Sequence, residues 1–375
     1  MHNNVSPLGE LSLSRWPVRK DDILRAWDAA DEYLLDYLVA ENLLLERRQI
    51  LVINDGFGAL SCALKDHGVT SWSDSKISHL ATEHNLGSHA SQPEYLTSLE
   101  SPTQQYDLVL IKVPKTMALL EDQLHKLRPC ITENTRIIAA GMVKHLPKSA
   151  FQWFEKTIGP VTTSLAKKKA RLIFSTLDDS LNVSVNPYPS SFYEESIGLE
   201  LSNHANVFSR DKLDQGARFF LKQFGQLPEA GEVIDLACGN GVLGIRYQQL
   251  HPASKLTFID ESYMAVASAE HNYSRIIDNQ VVSANFSVAD GLSQTNDNSA
   301  DLILCNPPFH QQHVIGEQIA TQFFHRAKRG LIVRGELWIV ANRHLDYGKK
   351  LKRIFGNCRL VATDKKFVVL RVVKR

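Results

Sequence analysis

The chain has 375 residues, 43% of them hydrophobic and 22% charged, which excludes a disordered or fibrous polymer and leaves a globular protein. A formal charge of +1 excludes a uniformly basic surface, so any electrostatic hold on nucleic acid has to be local. No secretory h-region and no run of about 20 apolar residues is present, and Cys62, Cys130, Cys238, Cys305 and Cys358 lack a C-x-x-C or a histidine at ligand spacing, so a cytoplasmic chain with reduced thiols and no metal is expected.

At about 100 to 200 residues per domain, two domains are the starting expectation. A weak internal repeat supports it when residues 50–178 are laid against 232–375. ILVINDGFGALSCAL matches EVIDLACGNGVLGIR, SDSKISHLATEHN matches IDESYMAVASAEHN, and YDLVLIKVPK matches ADLILCNPPF. RIIAAGMVKHL pairs with ELWIVANRHL, and IGPVTTSLAKKKARLIFSTL with FGNCRLVATDKKFVVLRVV. Strands alternating with helices in both halves predict two α/β domains, residues 1–185 and 192–375, each a mostly parallel doubly wound sheet. A hairpin around Thr363 to Phe367 adds a terminal antiparallel strand.

In the first half the turn VINDGFGAL reads two residues shorter than VIDLACGNGVL, with Asn54 where Asp235 stands. Lys112, Val113, Pro114 and Lys115 stand where the second half has Asn-Pro-Pro-Phe, so this half reads as a degenerate copy. Lys112, Lys115, Lys144, Lys148, Lys167, Lys168, Lys169 and Arg171 are candidates for contact with the phosphates of a substrate, the alternative being an ordinary solvated face. The same two readings hold for Lys349, Lys350, Lys352 and Arg353.

Residues 178–191, rich in Asn, Ser and Pro, read as a linker, and residues 192–210 as a bridge into the second half. LDQGARFFLKQF reads as a helix started by Ser209, Asp211 and Asp214. VIDLACGNGVLGI then gives an apolar strand, a turn with Gly239 and Gly241, and a helix from Val242. Such a turn lets backbone approach a ligand, and Asp235 is placed to accept from a cationic amine. Asp260, about 20 residues on at the end of LTFID, sits like the acid that grips a ribose in doubly wound sheets. Asp290 in FSVADGL is a candidate for an adenine amine or a plain turn residue before glycine.

DLILCNPPF is the chemical focus. An apolar strand runs into Pro307 and Pro308, which cannot donate to a ladder, so Asn306 is left at the carboxyl edge. An amide oxygen and the Pro307 carbonyl can accept both hydrogens of an exocyclic amine while Phe309 stacks on the base.

The order of D-x-x-x-G-x-G, Asp260, Asp290 and NPPF resembles a class I S-adenosylmethionine-dependent methyltransferase, with a Rossmann-like fold. Over nearly the whole chain, HANVFSRDKLDQGARFF, FIDESYMAVASAEHN, NPPFHQQH and IVANRHLDY closely resemble the ribosomal RNA large subunit methyltransferase G family. That resemblance implies transfer of methyl from S-adenosylmethionine to guanine N2 in 23S rRNA, or in 16S rRNA if the chain follows the sister family of small-subunit rRNA guanine-N2 methyltransferases. It also implies that Asp235, Ala237, Gly239 and Gly241 hold the methionine end, Asp260 the ribose and Asp290 the adenine. Phe208 and Ser209 would pack on the cofactor's carboxylate side, while Asn306, Pro307 and Phe309 hold the guanine. His310, His313, Asn342, Arg343 and His344 are further candidates near the pocket, Arg343 among those for RNA. Duplication suggests a monomer, and because a target base in a helix has to be flipped out, protein-free or early-assembly rRNA is the expected substrate. Methylation of an adenine or a protein glutamine, a nicotinamide-dependent dehydrogenase and a non-enzymatic RNA-binding protein are the competing readings.

Overall fold

A computed structural model describes residues 2–6, 9–18, 23–88, 92–277, 283–307 and 313–375. They form two compact units, Met1–Tyr188 and Pro189–Arg375.

The first unit opens with a hairpin, β1 (His2–Ser6) and β2 (Gly9–Leu13), followed by helix α1 (Ala29–Ala40). Alternation then sets in: β3 (Gln49–Ile53), α2 (Ala59–Ala63), β4 (Gly68–Ser73), α3 (Lys76–Leu86), β5 (Glu94–Thr97), β6 (Leu108–Lys112), α4 (Met117–Leu127), β7 (Arg136–Met142) and α5 (Lys148–Thr157). A closing hairpin, β8 (Val161–Thr163) and β9 (Ala170–Ser175), completes a sheet of order β5-β4-β3-β6-β7-β9-β8. β9 is antiparallel to β7, whereas β3 to β7 run parallel. Lys168 and Lys169 are the two central residues of the β8–β9 turn, both at positive φ between the mutually hydrogen-bonded Lys167 and Ala170, the mirror-image turn that matches strand twist.

Residues 178–191 are not all open linker. Asn186 Nδ2 donates to Asp122 and the Tyr188 hydroxyl to Glu121, which fastens this segment to α4, and a strand already begins at Ser190.

The second unit repeats the plan. A hairpin of β10 (Ser190–Glu194) and β11 (Leu199–Asn203) leads to α6 (Gln215–Leu221), then β12 (Glu232–Leu236), α7 (Val242–Leu250), β13 (Lys255–Asp260), α8 (Tyr263–Ile276) and β14 (Asn285–Val288). β15 (Ala300–Cys305), α9 (His313–Gly330), β16 (Leu331–Asn342), α10 (Tyr347–Phe355), β17 (Arg359–Thr363) and β18 (Phe367–Val373) follow. The sheet order is β14-β13-β12-β15-β16-β18-β17, with β18 antiparallel to β16.

The continuous apolar runs make physical sense because both sheet faces are covered. Alternate residues Val233, Leu302, Leu304, Trp338 and Val340 pack with Phe220 of α6, Ile245 of α7 and Tyr273 of α8. Ile234, Leu236, Ile303, Cys305 and Ile339 pack on the opposite face with Ala320, Phe324 and Ala327 of α9 and Leu351 and Phe355 of α10. No helix among the described residues is long and apolar enough to cross a membrane.

Candidate active site

In the second unit the chain leaves β12 toward β13 and β14, then returns to lay β15 on β12's other edge. That reversal opens a crevice at the carboxyl ends of β12 and β15, where open α/β sheets bind ligands. Leu236 pairs with Cys305, so Ala237 and Asn306 emerge side by side there.

The turn after β12 is shaped by three left-handed residues, Ala237 at φ 58°, Gly239 at 54° and Gly241 at 81°. At Gly241 glycine is required twice over, since a Cβ would lie 3.0 Å from the Ala269 Cβ of α8 as well as straining the backbone. A Cβ on Gly239 would meet nothing within 4 Å, so the turn is open on that side. Asp260 at the end of β13 braces the turn, with Oδ2 accepting from Gly239 N at 3.0 Å and Oδ1 from Ser262 N at 3.1 Å.

Asp235 is fully buried beneath the turn. Its Oδ2 accepts from Gly244 N at 2.8 Å, in the first turn of α7, whereas Oδ1 has no hydrogen-bond partner among the described residues. Burial pushes this carboxyl up to about 7, the Gly244 hydrogen bond opposes the rise, and the Asp260 charge adds to it.

Asn306 is held by a residue that sequence reasoning treated only as a helix start. Asp214 caps α6, its Oδ2 accepting from Ala217 N at 2.9 Å, and the same oxygen accepts from Asn306 Nδ2 at 3.1 Å. Asn306 Oδ1 is buried and lacks a partner among the described residues. Pro307 is buried behind it, while Phe309 and His310 lie outside the described residues and the side chain of His313, which opens α9, is likewise outside them.

Asp290 is buried, and its Oδ2 lies 3.2 Å from Nη1 of Arg326 on α9, a partner with no sequence signal beyond its place on a helix. Phe208 is exposed rather than core, and Ser209, at φ 56°, donates its hydroxyl to the Lys212 carbonyl. Arg343 is exposed just past β16, its backbone nitrogen donating to Lys366 O in the β17–β18 turn.

The first unit corrects two expectations. Ile53 pairs with Ile111 as Leu236 pairs with Cys305, so the turns have equal length: Val52, not Asn54, occupies the register of Asp235. Asn54, at φ 63°, corresponds to Ala237, and Gly58, at φ 79°, to Gly241. The carboxylate that serves the following helix has moved into the loop, where Asp55 accepts from Ser61 N. Lys112, the last residue of β6, does stand at the register of Asn306, one residue past the pair with the central strand. It is not an open basic contact, however, because its Nζ lies 2.8 Å from Asp28 and 2.7 Å from Asp31. Lys167 and Lys168 are also committed, to Asp36 and Glu32, although all three lysines of the hairpin tip are exposed. Lys115 is exposed, and Arg171 has a buried Nε without a partner among the described residues.

Two α/β units of this strand order, with the crevice at a switch point beside a glycine turn, define the class of Rossmann-like methyltransferase folds. The RLMG N-terminal domain model matches residues 1–179 and the Methyltransferase small domain model residues 198–371. Ribosomal RNA large subunit methyltransferase G of Ectopseudomonas mendocina (strain ymp) is 46% identical over 374 residues, 99% of this chain and 99% of that protein. A T. thermophilus 16S rRNA N2 methyltransferase, solved in complex with AdoMet and guanosine, matches with a TM-score of 0.75 over 100% of this chain and 98% of that one. At 19% identity that likeness establishes the fold. The chain belongs to the ribosomal RNA large subunit methyltransferase G family.

Proposed function

We propose that the chain transfers a methyl group from S-adenosylmethionine to the exocyclic N2 amine of a guanine in 23S rRNA. The observation that carries the chemistry is Asn306 Oδ1, a buried acceptor without a donor among the described residues at the switch-point edge. An exocyclic amine supplies the donor that it lacks.

The cofactor fits the same edge. The lone Oδ1 of Asp235 suits a cationic amine, the open side of Gly239 leaves room for close approach, and the braced Asp260 carboxylate stands at the end of β13, where an acid would accept from ribose hydroxyls. Ala237 and Gly241 shape that turn, Asp290 lines the adenine end, and Phe208 and Ser209 lie on the methionine side. S-adenosylmethionine supplies an electrophilic methyl whose leaving group is a neutral thioether. The protein's part is alignment: Asn306 Oδ1 and the Pro307 carbonyl would accept the two N2 hydrogens and turn the nitrogen lone pair toward the methyl, one N2 proton would pass to solvent as the new bond forms, and Phe309 would stack on the base. A guanine in a helix would be flipped out at a cost of a few kcal/mol.

The first unit serves as the RNA-binding half. Exposed Lys115 and Lys169 are its strongest phosphate contacts, with Arg343 on the catalytic half. Lys112, paired with two carboxylates, has a structural role instead. The enzyme acts in the cytoplasm, as a monomer, on protein-poor 23S rRNA. Labelled methyl transfer from S-adenosylmethionine to purified 23S and 16S rRNA from cells lacking the protein tests the reading. The expected product is N2-methylguanosine in 23S rRNA, absent with Asn306→Ala. Label in 16S rRNA, in an adenine, or in neither RNA with cofactor binding intact would overturn the acceptor assignment.

A further inference from the structure

We propose that Asp214 is a positioning residue that decides which end of the Asn306 amide meets the substrate. The inference rests on the reading of Asn306 as the amine acceptor.

A carboxylate offers lone pairs and no donor, so only the NH2 end of Asn306 can face Asp214, at 3.1 Å. The opposite end, Oδ1, is thereby left as the buried acceptor without a partner among the described residues. Turned over, the amide would set oxygen against carboxylate and present NH2 to the guanine amine, two clashes of like polarity. Space is arranged for the pair as well: a Cβ on Gly216 would lie 2.9 Å from Asp214 Oδ2, 3.3 Å from the Phe367 ring and 3.5 Å from Asn306 Oδ1.

The first unit carries the same junction with a different guest. Asp28 caps α1, its Oδ1 accepting from Ala30 N at 2.8 Å, and the same oxygen lies 2.8 Å from Lys112 Nζ. Lys112 stands at the register of Asn306, one residue past the strand pair. Helix capping by itself would be met by Ser or Asn. An acceptor-only side chain is what both strand-end guests, an amide NH2 and an ammonium, have in common as a requirement.

Asp214→Ser and Asp214→Thr separate the two roles, because a hydroxyl retains an N-cap acceptor but can also donate to an amide oxygen, so neither forces the amide direction. Methyl transfer to 23S rRNA, cofactor Kd, Tm and the side-chain amide 15N–1H resonance of Asn306, assigned by its loss in Asn306→Ala, are measured for each. The expected result is a roughly 100-fold fall in kcat, with KM and cofactor Kd within about twofold of wild type, Tm unchanged and the Asn306 resonance displaced. Wild-type kcat in either variant overturns the proposal, as does a kcat loss matched by equal losses of Tm and cofactor affinity. Failure of wild type to methylate guanine N2 would strike the underlying reading instead, and the same assay shows which has failed.

Discussion

The two halves share a scaffold and differ at nearly every strand-end position, and their registers show how one fold carries two different sets of side chains at the same edge. Asp235 becomes Val52, Asp260 becomes Ser73 and Asn306 becomes Lys112. Ala289 N donates to Asp260 O as Ser98 N donates to Ser73 O, so Asp290 becomes Leu99. What survives is geometric: the left-handed turn residues at 54 and 58, and the capping aspartate beneath the strand end. Backbone conformation and caps are needed for either sheet to close on its helices, whereas the side chains at the strand ends are free to differ.

Writing the first half's residue into the second should have the largest effect. Asn306→Lys should abolish methyl transfer by roughly 1000-fold or more, with cofactor affinity retained, because Asp214 can hold an ammonium as Asp28 does. Single-turnover transfer beside equilibrium cofactor titration checks this. Equal loss of both would remove Asn306 from the acceptor role.

Asp235 gives the next largest effect, through pH. Its folded value of about 7 lies above the ordinary 3.8, so between these limits the folded state holds a proton that the unfolded chain has released. Stability of the cofactor-free protein from this group is therefore greatest below the unfolded value and is lost as pH rises through about 7, at up to about 1.4 kcal/mol per unit of the window. Asp235→Asn should flatten that fall in denaturant titrations from pH 5 to 8 while weakening cofactor binding. An unchanged pH slope would show that Asp235 does not titrate there.

Breaking the first half's own junction should cost stability without touching chemistry. Lys112→Asn removes the cation from between Asp28 and Asp31 and should destabilise that unit by about 3 kcal/mol, with kcat unchanged. Asp260→Ser, which copies Ser73, should weaken the cofactor by roughly 30-fold before it affects transfer at saturation. The smallest effects belong to the surface: Lys115→Ala and Lys169→Ala should each raise KM for RNA about two- to fivefold and lower the salt slope by about one, at constant kcat. Constant KM and salt slope in both would make the basic hairpin tip a solvated face.

Much of this was legible in the residue order, because the signals are local. Alternating strand and helix patterns, the G-x-G turn and the Pro-Pro stop that strands Asn306 are set by backbone preferences over a few residues, and the repeat made both sheets readable. The equal length of the two turns was not legible, since glycine spacing misleads where strand register decides it. Charge was the least legible property. Lys112, Lys167 and Lys168 read as open cations until folding brought Asp28, Asp31, Asp36 and Glu32 beside them. Asp214 and Asn306, 92 residues apart, carry no common pattern in the sequence. Sequence by itself determined the two-domain plan and the residue types at the strand ends, since these follow from local sterics and apolar periodicity. Tertiary structure alone decided which carboxylate holds which strand-end side chain, because a hydrogen bond near 3 Å depends on strand register and helix docking, to which no short stretch of chain is sensitive.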